Sequence, residues 1–115
     1  MRVTSDLFVH ALIRRVFSAG GFAAVERRGA AEAGAIFFRQ RHRDGTETLY
    51  APAPQSFFDD EARGERLFEI RLEASDAAEV DGMLEREIRF DPDLWVVEIE
   101  AENVGELIKV AEEGE

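Results

Sequence analysis

The run Leu94-Trp95-Val96-Val97-Glu98-Ile99-Glu100 is the strongest strand signal in the chain, dense in β-branched and aromatic residues and preceded by the breaker Asp91-Pro92-Asp93. It does not stand alone. Upstream, Leu67 to Glu73 alternates Phe68, Ile70 and Leu72 against Glu69, Arg71 and Glu73, the pattern of a strand with one wet face. Between the two, Ser75 can cap a helix over Asp76 to Arg89 whose inner side is Ala77, Val80, Leu84 and Ile88. Strand, helix and strand over this length fit a right-handed crossover that leaves both strands parallel.

The first half adds a helix and further strands. Thr4 and Ser5 are good N-caps, Asp6 suits the positive end of the helix dipole, and Gly20-Gly21 supplies a left-handed stop. His10, Arg14 and Ser18 recur four residues apart, with Arg15 beside them. Leu7, Phe8, Ala11, Leu12, Val16, Phe17 and Ala19 fill most of the remaining circumference, so the pattern predicts a helix buried on most sides, by a sheet and with room for a second subunit as further cover. Phe22 to Arg28 and Ala35 to His42 then read as a hairpin around Gly29 to Gly34. In the second run Ile36 and Phe38 point one way, and Phe37, Arg39 and Arg41 the other. Asp44-Gly45 is a turn signal that predicts a third antiparallel strand over Thr46 to Ala51, ended by Pro52 and Pro54. Residues 52–65 form the longest irregular stretch. Near the end, Asn103 and Glu106 resemble a capping box for a short C-terminal helix carrying Val104, Leu107, Ile108 and Ala111. The sum is an α+β chain: N-terminal helix, antiparallel β-meander, β-α-β unit and short C-terminal helix around one sheet.

Size and composition bound the rest. A chain of 115 residues is expected to hold one domain, and 45% hydrophobic residues are enough to build its core. The absence of Cys removes disulfides, thiol nucleophiles and thiolate metal sites. Leu7 to Phe17 is interrupted by His10, Arg14 and Arg15, so it does not read as a secretory signal, and no run approaches the roughly 20 apolar residues of a membrane span. A cytoplasmic location follows as the expectation. The net charge of −11 disfavours nucleic acid and anionic membrane as partners. That charge is polarised: residues 1–43 hold eight basic and three acidic groups, +5, while residues 44–115 hold six basic and 22 acidic groups, −16.

Three segments carry a family resemblance. Arg14-Arg15-Val16-Phe17-Ser18-Ala19-Gly20-Gly21-Phe22, Ala51-Pro52-Ala53-Pro54-Gln55-Ser56-Phe57-Phe58, and Phe90-Asp91-Pro92-Asp93-Leu94-Trp95-Val96-Val97-Glu98-Ile99-Glu100 resemble the short alphaproteobacterial proteins of the DUF1491 family, a domain of unknown function. The resemblance spans residues 2–101 and leaves 102–115 as the helix or tail. It implies a bacterial cytoplasmic protein, and no activity, cofactor or catalytic residue comes with it.

Two groups of residues stand out as candidate sites. Arg27, Arg39 and Arg41 alternate on strand faces with Phe37 among them, a pattern that can grip a phosphate through paired guanidinium bonds. The commoner use of such a face is to pair with alternating carboxylates, here Glu69, Glu73, Glu98 and Glu100. Tyr50, Phe57 and Phe58 flank two prolines and either close over the core edge or mark a partner patch. Metal spacing, a nucleophile elbow and a phosphate-cradling glycine loop are all missing from the sequence; His42 and Ser56 have no motif around them, so no catalytic residue, metal or cofactor is assigned. The reading that follows is a non-enzymatic protein-binding or adaptor domain, a homodimer being its special case. The alternative is binding or turnover of a small anionic ligand at the arginine face, with nucleic acid ranked last.

Overall fold

The computed structural model describes residues 3–54 and 66–111. Its elements are α1 (Ser5–Ser18), β1 (Phe22–Arg27), β2 (Ile36–Arg41), β3 (Glu47–Pro52), β4 (Leu67–Ser75), α2 (Ala77–Phe90), β5 (Trp95–Glu100), a 3-10 turn (Val104–Glu106) and β6 (Lys109–Val110). The six strands form one mixed sheet in the order β1-β5-β2-β3-β4-β6. The α+β class therefore holds.

Strand order departs from the expected meander at one place. Phe22–Arg27 and Ile36–Arg41 are not a hairpin, because β5 lies between them, antiparallel to β1 and parallel to β2. The reason is apolar demand. In β5, Trp95, Val97 and Ile99 point to one face and Val96 to the other, and all are buried, so this strand needs neighbours on both edges. Phe22–Arg27, with two alanines and a Glu-Arg end, tolerates the sheet edge. The connection from β1 to β2 passes over the start of β5 instead of reversing. Gly29 and Gly34 serve that passage: a Cβ there would lie 2.3 and 2.5 Å from the Asp93 carbonyl oxygen. The antiparallel meander is β2-β3-β4. Since β2 and β5 are parallel and the meander alternates, β4 and β5 run in the same direction, as the strand-helix-strand pattern requires.

Among the described residues, α1 and α2 cover opposite faces. Val9, Leu12 and Val16 of α1 pack on Ile36, Phe38, Trp95, Val97 and Ile99. Val80 and Leu84 of α2 pack on Phe37, Leu49, Leu94 and Val96. The turn between β2 and β3 has Gly45 at φ 91°, and Asp44 Oδ1 accepts from both the amide and the hydroxyl of Thr46, which holds the Asp44 carboxyl below the usual carboxylate range.

Three other expectations are corrected. The buried stripe of α1 is narrow, only Ser5, Val9, Leu12 and Val16, and Leu7 and Phe17 face out. The C-terminal helix is a 3-10 turn followed by the two-residue strand β6; Asn103 makes no side-chain cap bond there, while Val104 and Ile108 are still buried as anchors. In β4, Phe68 and Leu72 do not share a face. A register shift between Leu49 and Tyr50 leaves Arg71 as an extra residue, so Ile70 sits opposite Tyr50 and Leu72 opposite Leu49, on the α2 side.

Candidate functional site

The most concentrated chemistry lies on the α2 face of the sheet, beyond the end of the apolar cluster. Strand alternation brings Phe37, Arg39 and Arg41 to this face, and the register sets Arg39 beside Glu98 and Arg41 opposite Glu47. Arg39 is only 4% exposed. Its guanidinium donates to Glu47 at 2.5 and 2.9 Å and to Glu26 at 3.1 Å, and lies 2.8 Å from Asp81 of α2. Arg41 reaches Glu98 at 3.0 Å and Glu47 at 3.7 Å. Burial opposes the Arg39 charge, but the bonds to Glu47 and Asp81 and the charges of Glu26 and Glu47 outweigh it and raise its pKa further.

This arrangement sets the electrostatics of the face. Glu26, Glu47, Asp81 and Glu98 outnumber Arg39 and Arg41 by two charges, so the cluster carries no surplus positive potential with which to hold a phosphate. Of the pairing partners read from alternation, Glu98 is present, whereas Glu69 instead meets Arg71 at 3.3 Å. Glu26, Glu47 and Asp81 were missed, because a bulge at Glu26 and the docking of α2 bring them in. Arg27 lies apart and donates to the Pro92 carbonyl at 2.8 Å.

The aromatic candidates separate as well. Tyr50 is buried at 7% exposure, so it is a core residue and not a surface contact; its hydroxyl donates to Gln40 Oε1 at 2.9 Å, and Gln40 Nε2 donates to the Ala101 carbonyl at 2.7 Å. Phe57 and Phe58, with Ser56, lie outside the described residues. His42 is used structurally, 2.7 Å from the Thr48 hydroxyl, which also accepts from the Ala74 amide at 3.1 Å.

The described surface presents other aromatics that the sequence patterns passed over. Phe17 at the end of α1 and Phe22 at the start of β1 are 52% and 41% exposed, and their rings meet edge to face at 5.8 Å. Gly20-Gly21 forces this meeting. Gly20 takes φ 89°, and at Gly21 a Cβ would stand 2.8 Å from the Glu100 carbonyl oxygen, so the chain turns tightly from helix into edge strand. Leu7, also 52% exposed, extends the apolar surface of α1 toward its N-terminus. Among the described residues no group of three or more His, Asp or Glu side chains is placed to hold a metal ion, and no helix is long and apolar enough to cross a membrane.

A family model for a protein of unknown function, DUF1491, matches residues 3–109. The chain belongs to the DUF1491 family. The match takes in the whole sheet up to the first residue of β6 and both helices. Among solved structures, the solution structure of protein Atu0922 from A. tumefaciens is 60% identical, with 100% of this chain and 99% of that one covered at a TM-score of 0.87. The crystal structure of a DUF1491 family protein from Caulobacter crescentus CB15 is 34% identical, covering 97% and 100% at a TM-score of 0.77. An NMR structure of a DUF1491 family protein from the same organism gives 35% identity, 97% and 99% coverage and a TM-score of 0.76. No curated protein matches.

Proposed function

We propose that this DUF1491 protein is a cytoplasmic, non-catalytic protein-binding module that docks its partner at the corner where α1 turns into β1. One observation carries the reading: Phe17 and Phe22 form an aromatic pair left about half exposed on a described surface whose arginine cluster is already neutralised by its own carboxylates. Large rigid aromatics at a surface supply contact area at low entropy cost, and they are among the side chains on which interface energy concentrates. Leu7 lengthens the contact along α1, with His10 and Arg14 between as polar rim.

The test is affinity capture from an alphaproteobacterial lysate with the parent chain and with Phe17→Ser/Phe22→Ser, both first shown to be folded by circular dichroism. A stoichiometric protein held by the parent and lost from the variant is the expected result. Identical captures from both overturn the docking corner. Sedimentation of the two chains decides the special case, since a homodimer through this corner dissociates in the variant. A parallel Phe57→Ser/Phe58→Ser variant assigns any remaining binding to the proline-flanked loop.

A further inference from the structure

The sheet has two edges, both bulged, and they differ in length and in cover. At β1 the strand is short and bulged at Glu26. At the other edge β4 runs for nine residues, while β6 covers only its beginning, pairing Lys109 with Leu67 and Val110 with Phe68 in parallel, with the Ala111 amide donating to the Phe68 carbonyl at 2.7 Å. From Glu69 onward the outer side of β4 has no strand beside it among the described residues. Ala74, at φ 44°, ends the extended geometry, so Glu69–Glu73 is the stretch left to pair, and the extra residue Arg71 within it puts Glu69 and Glu73 on opposite faces.

The side chains along this stretch choose the occupant. Glu69, Glu73, the following Asp76, and Glu87 of α2 stand against the single Arg71, which bonds Glu69 and Glu87. Ile70 is 43% exposed between them. A second copy of this edge would set like charges face to face, which is destabilising. The residues that follow β6 in sequence, Glu112, Glu113, Gly114 and Glu115, carry the same sign as the edge they would have to extend along. The complementary occupant is an extended segment with Lys or Arg opposite Glu69 and, three residues along because Arg71 is extra, opposite Glu73, with apolar residues between them opposite Ile70 and Leu72.

We propose that Glu69–Glu73 of β4 accepts such a basic extended segment of another protein as an added strand, in line with β6. The proposal rests on the reading of the chain as a protein-binding module but uses a surface separate from Phe17 and Phe22, so the two fail independently. The experiment titrates the 15N-labelled full chain with a capped Lys-Val-Val-Lys-Val-Val-Lys heptapeptide, whose Lys spacing allows for the extra residue Arg71. Controls are a Glu-Val peptide and a peptide of identical Lys and Val content interrupted by proline, which cannot complete a ladder. The expected result is amide shifts and slowed hydrogen exchange confined to residues 69–73 with the Lys-Val peptide, binding about tenfold weaker with the proline peptide, and none with the Glu-Val peptide. Glu69→Lys/Glu73→Lys abolishes the effect, while Phe17→Ser/Phe22→Ser leaves it unchanged. Equal binding of the proline peptide reduces the effect to charge attraction and overturns the added strand. Shifts elsewhere, no shifts, or a dimer of the free chain paired through β4 overturn it too.

Discussion

The two faces of the sheet are written by the same strands and solve burial in opposite ways. On the α1 face, every second residue of β2 and β5 is apolar, and the one polar insertion, Gln40, is tied off between the Tyr50 hydroxyl and the Ala101 carbonyl. On the α2 face the same strands turn from Phe37 and Val96 to Arg39 and Glu98 within two residues, and the helix contributes Asp81 in place of an apolar side chain. One face is stabilised by area removed from water and the other, in part, by a charge set whose desolvation cost must be met by its own pairing. The lesson is that a buried arginine on a strand is not by itself a ligand site; what counts is the tally of charges its neighbours bring.

The largest effect that separates the faces is expected at Trp95, which is fully buried on the α1 side with its indole N–H donating to the Ala30 carbonyl at 2.8 Å and Arg28 stacked 5.1 Å over the ring. Trp95→Ala lowers unfolding stability by about 4 kcal/mol through lost transfer energy and a cavity, read by urea denaturation. Next comes the charged face. Arg39→Met leaves Glu47 buried with only the part-exposed Arg41, 3.7 Å away, to pair it and costs about 3 kcal/mol, whereas Arg39→Met/Glu47→Leu returns to within about 1 kcal/mol of the parent. A double variant as unstable as the single one breaks the comparison, because the face would then depend on the pair itself and not on avoiding an unpaired charge.

A smaller effect sharpens the polar exception on the apolar face. Burial, and then the Glu73 charge, raise the Tyr50 phenol above its ordinary 10.0. Folding thus favours the protonated phenol: the contribution is complete below pH 10, where both states hold the proton, and it falls as the pH rises from 10 toward the folded-state value, where only the unfolded chain ionises. Tyr50→Phe removes this alkaline fall in stability and costs about 1 kcal/mol at neutral pH through the lost bond to Gln40. Last is Ala74, a non-glycine residue at φ 44° in the bulge opposite Thr48. Ala74→Gly raises stability by about 0.5 kcal/mol, the relief of left-handed strain exceeding the added chain entropy, and a thermal melt shows it as a small upward shift.

Much of the scaffold was legible. Thr4 capping α1, Asp44-Gly45 turning β2 into β3, and the opposed faces of Ile36/Phe38 and Phe37/Arg39 all stand as the residues predict. The candidate site was legible only in half. Alternation placed Arg39 and Arg41 on one face with Glu98, but Glu47 enters through the β2–β3 register, Glu26 through a bulge, and Asp81 through helix docking. Tyr50 read as one of the aromatics flanking two prolines that either close over the core edge or mark a partner patch, and its ring belongs to the core. Phe17 and Phe22 read as ordinary members of a helix face and a strand; their exposure depends on how narrow the buried stripe of α1 is.

What the sequence by itself determined is the kind and approximate extent of α1, α2 and β1–β5 and the faces of β2 and β5, because periods of 2 and 3.6 and the turn chemistry of Gly, Pro and Asp are local properties of the backbone. Tertiary structure decided which strands are neighbours. The eight residues between β1 and β2, 28–35, satisfy either a hairpin or a passage over an intervening strand, and the choice fell to β5, whose Trp95, Val96, Val97 and Ile99 leave water only if both of its edges and both of its faces are covered. That gain is a sum over residues 59 to 78 positions apart in the chain, and so no local pattern contains it.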